Sequence, residues 1–222
     1  MRKIWICLAL AALPVFADPI PGCFTESLTN YENLSAGCSV GDVVFSNFAY
    51  NPHLGPSFSA DQITVTPVAG PSTGLEFSLN GYTANGLTVM DNGITYNTAT
   101  DNGQMTIVQL QEILNASFTG LGQTAVRDIG TTSGIIPFSM TTHEQLLGSQ
   151  PTDSVDVPAT NQVYSNYDLY ADAATGSATI TSVTNLFVET PEPEFLLPLG
   201  LAGLAILWRY RRQARRLNLL VR

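Results

Sequence analysis

Positive charge is nearly absent from the middle of this 222-residue chain. All 18 acidic residues lie between Asp18 and Glu194, and Arg127 is the only Lys or Arg among them, so that stretch carries a net charge of −17. One cation cannot neutralise a row of phosphates, which excludes nucleic-acid binding by the body of the chain. Charge of either sign is scarce, at 12 % of residues with 45 % hydrophobic; the charged share is about half the usual ~25 %, which fits neither a disordered chain nor an ordinary cytosolic enzyme. Histidine is limited to His53 and His143, the only groups suited to near-neutral general-base work. They are accompanied by no Gly-x-Ser-x-Gly elbow and no His-Glu-x-x-His pair, so each reads as a surface loop residue. Cysteine is limited to Cys7, Cys23 and Cys38.

What is present sits first at the two ends. Arg2 and Lys3, the apolar run Ile4 to Leu13, and Pro14 before Val15-Phe16-Ala17 have the layout of a secretory signal, with cleavage expected between Ala17 and Asp18 by signal peptidase. Ile20-Pro21-Gly22-Cys23 loosely imitates a lipobox, but Asp18, Pro19 and Pro21 part it from the apolar run, and lipidation would strand Cys38. At the other end, Pro191-Glu192-Pro193-Glu194 precedes fourteen apolar residues, 195–208, and then Arg209, Arg211, Arg212, Arg215 and Arg216. Fourteen helical residues span about 21 Å against a hydrocarbon core of about 30 Å. The arginine flank, with Trp208 and Tyr210 at the interface, makes up for the shortfall and holds this end in the cytoplasm.

Pro191-Glu192-Pro193, a short apolar helix containing Gly200 and Gly203, and a terminal arginine cluster resemble the PEP-CTERM sorting signal of Gram-negative bacteria. The resemblance covers residues 190–216. It implies recognition of Pro191, Glu192 and Pro193 by an exosortase, stop-transfer by the five arginines, and residence in the inner membrane before processing. The chain thus divides into a signal peptide at 1–17, an ectodomain at 18–189, a sorting signal at 190–216 with its transmembrane helix at 195–208, and a cytoplasmic tail at 217–222. The stretch from Gly37-Cys38-Ser39-Val40-Gly41-Asp42 through Phe45-Ser46-Asn47-Phe48, and the closing run from Asp168 to Phe187, are similar to ectodomains of that family, for which the resemblance implies a fold and no activity.

Cys7 leaves with the signal peptide, so Cys23 and Cys38 form an isolated pair in an exported chain and are expected to be disulfide-bonded. A metal or redox pair would need closer spacing or further ligands. Between them Leu28, Tyr31 and Leu34 share the spacing of one helical face. Beyond Cys38, Ile63-Thr64-Val65-Thr66, Leu75 to Leu79, Leu87-Thr88-Val89 and Ile94-Thr95-Tyr96 alternate apolar and polar residues as strands do. Asp91-Asn92-Gly93 and Asp101-Asn102-Gly103 read as hairpin turns. Met105 to Phe118 fits either a strand with a phase shift or a helix, because Ile107, Leu110, Leu114 and Phe118 also keep helical spacing. Strands resume at Thr124 to Ile129, Ile136 to Thr141, Gln162 to Ala171 and Ser177 to Val188. The fold class is all-β, an antiparallel β-sandwich flanked by the signal peptide and one C-terminal transmembrane helix.

Few residues carry a chemical reading. Asp153 with Asp156, or Asp168 with Asp172, could pair as carboxylates, and the second pair could share a strand face. No loop has the ligand series of a calcium site, so no metal and no cofactor are expected. Arg127 beside Asp128 is expected to form a structural ion pair. Tyr164, Tyr167 and Tyr170 are candidates for an aromatic face that binds sugar. The chain therefore reads as a non-enzymatic, exported cell-envelope or matrix protein, anchored in the inner membrane with a periplasmic ectodomain and later at the surface or outside the cell. Signal peptidase, an exosortase and exopolysaccharide are its expected partners. A carbohydrate-binding module and a secreted hydrolase are the alternatives.

Overall fold

The computed structural model describes residues 20–101, 105–132 and 136–191. The signal peptide with its Ala17–Asp18 cleavage site, Glu192, Pro193, the apolar segment, the five arginines and the tail lie outside the described residues. Among the described residues no helix is long and apolar enough to cross a membrane.

The elements are, in order, β1 (Glu26–Ser27), α1 (Leu28–Glu32), β2 (Cys38–Val40), β3 (Val43–Leu54), β4 (Ile63–Val68), β5 (Thr73–Leu79), β6 (Thr83–Asn85), β7 (Thr88–Thr100), β8 (Met105–Thr132), β9 (Ile136–Gln145), β10 (Gly148–Gln150), β11 (Thr152–Thr160) and β12 (Gln162–Pro191). Nearly all pairing is antiparallel. The expected sandwich is made in an unexpected way, from one continuous sheet curled over on itself, because β8 and β12 run through both layers. Residues 162–173 of β12 pair with β7 and with 122–132 of β8, which in turn pairs with β9; residues 177–191 pair with β5, β6 and 105–119 of β8. The sequence reads β12 as two strands; the structure makes it one strand that bends.

The bend is a glycine corner. Gly120 and Gly176 face each other in the β8–β12 ladder, with φ of 64° and 84°. A Cβ on Gly176 would collide with the carbonyl oxygen of Thr119, and one on Gly120 with that of Thr175. Only glycine combines the left-handed conformation with so close a backbone approach.

Between the layers lies an aromatic core. Tyr96 of β7 stacks on Phe48 of β3 at 5.5 Å and on Tyr167 of β12 at 5.9 Å, and it meets Phe77 from β5 across the interface at 5.6 Å. Phe45 reaches Phe187 at 5.8 Å. Such pairs add about 0.5–1.5 kcal/mol each beyond area burial. Phe45 and Phe48 both point inward although they stand three apart, since Asn47 takes a left-handed φ of 55° and the β3–β7 register shifts between Ser46 and Ala49. This bulge is how the Phe-Ser-Asn-Phe run is used.

Met105–Phe118 resolves as strand. Leu110, Glu112 and Leu114 point inward, and the irregularity between Val188 and Glu189 of β12 supplies the phase shift back to Ile107. The turn expected at Asp91-Asn92-Gly93 is not there, because these residues sit inside β7. Asn92 is buried there, accepting from Tyr50 Oη at 2.8 Å and donating to Tyr82 Oη at 3.2 Å, so tertiary bonds override a local turn preference. Between the cysteines α1 forms as one short turn, with Ser27 Oγ accepting from the Asn30 amide and Leu28 and Tyr31 buried.

Candidate functional site

Cys23 and Cys38 are bonded, with Cα atoms 4.9 Å apart. The bond ties the start of the ectodomain to β2, where the Cys23 amide donates to the Ser39 carbonyl at 2.8 Å. A disulfide of this kind belongs to an extracellular or periplasmic protein.

The outer face of the β3–β7–β12–β8 layer carries most of the exposed chemistry. Along the first half of β12 the side chains alternate strictly, with Val163, Ser165, Tyr167, Leu169 and Ala171 buried and Gln162, Tyr164, Asn166, Asp168, Tyr170 and Asp172 outward. Register lines up Ser46, Asn97, Tyr164 and Thr131 on four adjacent strands. With Gln162 and Asn47 they line a groove of about 430 Å³. Tyr164 is 42 % exposed, and none of these side chains is hydrogen-bonded to another described residue. An exposed ring set among amides and hydroxyls offers an apolar face for C–H groups and several donors and acceptors beside it. The three candidate tyrosines part company here. Tyr164 is in the groove and Tyr170 is half-buried further along the same face. Tyr167 points into the core at 1 % exposure, because an odd position on this strand faces inward.

At the middle of the face, Tyr170 pairs with Asp91 and Asp168 with Arg127. The Asp168 carboxyl is held above its ordinary range by partial desolvation and by its contact with Asp91, while His53 and Arg127 pull it down. His53 Nδ1 stands 3.4 Å from Asp91 Oδ1. Asp172 accepts from Tyr170 Oη at 3.3 Å and from Gln123 Nε2 at 3.5 Å. A second hollow of about 290 Å³, lined by Gln123, Gln145, Leu147 and Asp172, closes this end of the face.

One expected arrangement and one candidate pair are not found. Arg127 makes the expected structural ion pair with no described residue; it is exposed, and Asp128 beside it points to the opposite face, as neighbouring strand residues do, and is buried. Asp153 and Asp156 point to opposite sides of β11 for the same reason, whereas Asp168 and Asp172 do share a face. His143 lies on β9 opposite Ala125, away from the His53–Asp91 contact.

Inside the layers lies a polar cluster that the sequence hides. Glu112 and Asp128 are fully buried. Burial raises the Glu112 carboxyl to about 8 and Asp128 to about 7, against hydrogen bonds that pull both down. Glu112 Oε1 accepts from Thr142 Oγ1 at 2.6 Å, and Asp128 Oδ1 accepts from the Asn166 amide at 3.1 Å. Oε2 and Oδ2 have no hydrogen-bond partner among the described residues. Asn185 faces Glu112 in the ladder and donates to Tyr96 Oη at 2.8 Å. Sealed between layers, these carboxyls touch neither groove. Among the described residues no three His, Cys, Asp or Glu side chains converge to hold a metal ion.

No family model matches the chain, and no curated protein does. Among solved structures it is similar to TmCBM61 in complex with β-1,4-galactotriose, at 9 % identity and a TM-score of 0.34, over 66 % of this chain and 90 % of that one. It is also similar to a glycosylation associate protein (Gap123) complex from Streptococcus agalactiae, at 11 % identity and a TM-score of 0.29, over 68 % of this chain and 26 % of that one. A third similarity, to endoglucanase 3 of family GH12 from Trichoderma harzianum, has 12 % identity and a TM-score of 0.19, over 65 % of this chain and 98 % of that one. At similarity this low, none of them bears on what the chain does.

Proposed function

We propose that the chain is an exported, non-enzymatic cell-envelope protein, sorted by an exosortase through Pro191-Glu192-Pro193, whose ectodomain binds glycan in the Tyr164 groove. The observation that carries the binding role is the cross-strand row Ser46–Asn97–Tyr164–Thr131. It presents one exposed aromatic ring among polar side chains that no other described residue hydrogen-bonds. A sugar ring needs that combination, an apolar platform with hydroxyl-matching groups at its rim. The disulfide supports the exported setting. A hydrolytic reading needs a carboxyl of raised pKa in contact with substrate; Glu112 and Asp128 are enclosed, which leaves Asp168 as the raised carboxyl on this face that would have to serve it. The test is a glycan array followed by titration of the best neutral glycan. Tyr164→Ala is expected to weaken binding roughly tenfold or more, the loss of about 1.4 kcal/mol, with an unchanged melting temperature. An array on which the protein binds no glycan rejects the binding role.

A further inference from the structure

The Tyr164 groove and the Asp172 hollow stand at the two ends of one strand face, and the ladder Tyr164–Asn166–Asp168–Tyr170–Asp172 runs between them without a buried member breaking it. Eight residues of strand separate Tyr164 from Asp172, about 26 Å at the usual rise. That is far longer than one sugar ring and comparable to several laid end to end. Gly93 beside Asp168 and Ala125 beside Tyr170 leave one side of the ladder low at each step, while Arg127 and Asp91 are the neighbours on the other side. Tyr170 is fixed by its bond to Asp172, which Gln123 also holds, so a second ring is set in place along the same line as Tyr164.

Resting on the glycan-binding reading above, we infer that the ligand is a neutral, extended polysaccharide lying along β12 and bridging both hollows, with Tyr164 and Tyr170 as successive stacking platforms. Extension follows from the path, which keeps to one strand face with unbroken alternation and register; a coiled glycan would leave it after the first ring. Neutrality follows from charge. Asp91, Asp168 and Asp172 border the path with Arg127 as its one cation, on a body of net −17. Such a field repels a polyuronate or sulfated chain, while carboxylates accept hydrogen bonds from uncharged sugar hydroxyls.

The inference is tested by calorimetric titration of the full-length protein in detergent with the disaccharide and the hexasaccharide of β-linked glucan, galactan, mannan and xylan, alongside polygalacturonate. One neutral series is expected to bind, its hexasaccharide at least tenfold tighter than its disaccharide, and polygalacturonate is expected not to bind. Tyr170→Ala should reduce the hexasaccharide to the affinity of the disaccharide. Asp172→Ala, at a half-exposed site, carries the same expectation and decides the matter if Tyr170→Ala fails to fold. Equal affinity for short and long members overturns the bridging path and leaves the Tyr164 groove standing; tighter binding of polygalacturonate overturns neutrality. Absence of binding by every sugar removes both this inference and the reading it rests on.

Discussion

Glu112 and Asp128 are the buried carboxyls expected to contribute most to the pH response of the fold. Each is an acid whose folded-state value, about 8 and about 7, lies above its ordinary value because burial penalises the charged form. The groups facing them are Thr142, Ser165, Asn185 and the hydroxyls of Tyr96 and Tyr167, none of them a cation. A folded value above the unfolded one means that the stabilising contribution is fully present below about pH 4 and is lost as the pH rises through 7 and then 8. The melting temperature is therefore expected to fall between pH 5 and pH 8. Glu112→Gln, which keeps the shape and cannot ionise, should flatten that slope and raise stability at pH 8 by on the order of 1–3 kcal/mol. A variant that melts with the wild-type pH slope would show that Glu112 does not carry the effect. Neither carboxyl was legible as a buried acid. Glu112 stands in the stretch that fits helix and strand alike, and Asp128 adjoins the one cation. Composition counts every acid as solvated, whereas strand alternation sends Asp128 inward and Arg127 outward. Tyr164 was legible, and Tyr167 failed beside it because three tyrosines at a spacing of three cannot all share one face of a strand.

At the scale of elements, the alternating runs were read correctly wherever both neighbours were also strands, as in β4, β5 and β9. Errors came where tertiary contacts overruled local chemistry. Asp91-Asn92-Gly93 has the composition of a turn, yet Asn92 finds Tyr50 and Tyr82 as buried partners and the strand continues. The reverse holds at Gly120 and Gly176, which look like ordinary small-residue positions but make the corner that folds one sheet into two layers. Gly176→Ala should cost about 1–3 kcal/mol, from a disfavoured left-handed conformation together with a clash against the Thr119 carbonyl. Urea denaturation measures it, and a loss below about 0.5 kcal/mol would mean that the corner relaxes freely. The disulfide acts at the same scale, pinning α1 and β2 against β3. Cys38→Ser is expected to destabilise by roughly 3 kcal/mol in the chain-entropy model; two freely alkylated thiols in envelope material would show that the bond is not made in the cell.

For the whole molecule, β12 runs from the proposed binding face to Pro191, the first residue of the proposed sorting motif. It begins at Gln162 beside the groove, turns the corner at Gly176 and closes at Pro191, an exposed proline that brings no amide to the ladder. The proposed sorting motif therefore starts where the last strand stops. The proposed export and sorting rest on charge and length at the two ends, outside the described residues, and draw on no tertiary context. In the sorting reading, fourteen apolar residues hold the membrane weakly, and the arginines supply a barrier of ~2.5–3.5 kcal/mol each against passage through the bilayer centre. Changing Arg209, Arg211, Arg212, Arg215 and Arg216 to Gln should release the uncut chain into the periplasm. Glu192→Ala removes a charge outside the apolar run and should leave the chain anchored and unprocessed. Fractionation with intact mass separates the two outcomes. If the Gln variant stays in the membrane and is trimmed normally, the arginines do not stop transfer. If Glu192→Ala is processed at the wild-type rate in an exosortase-bearing host, the motif is not what the enzyme reads, and the glycan face must reach the cell surface by another route.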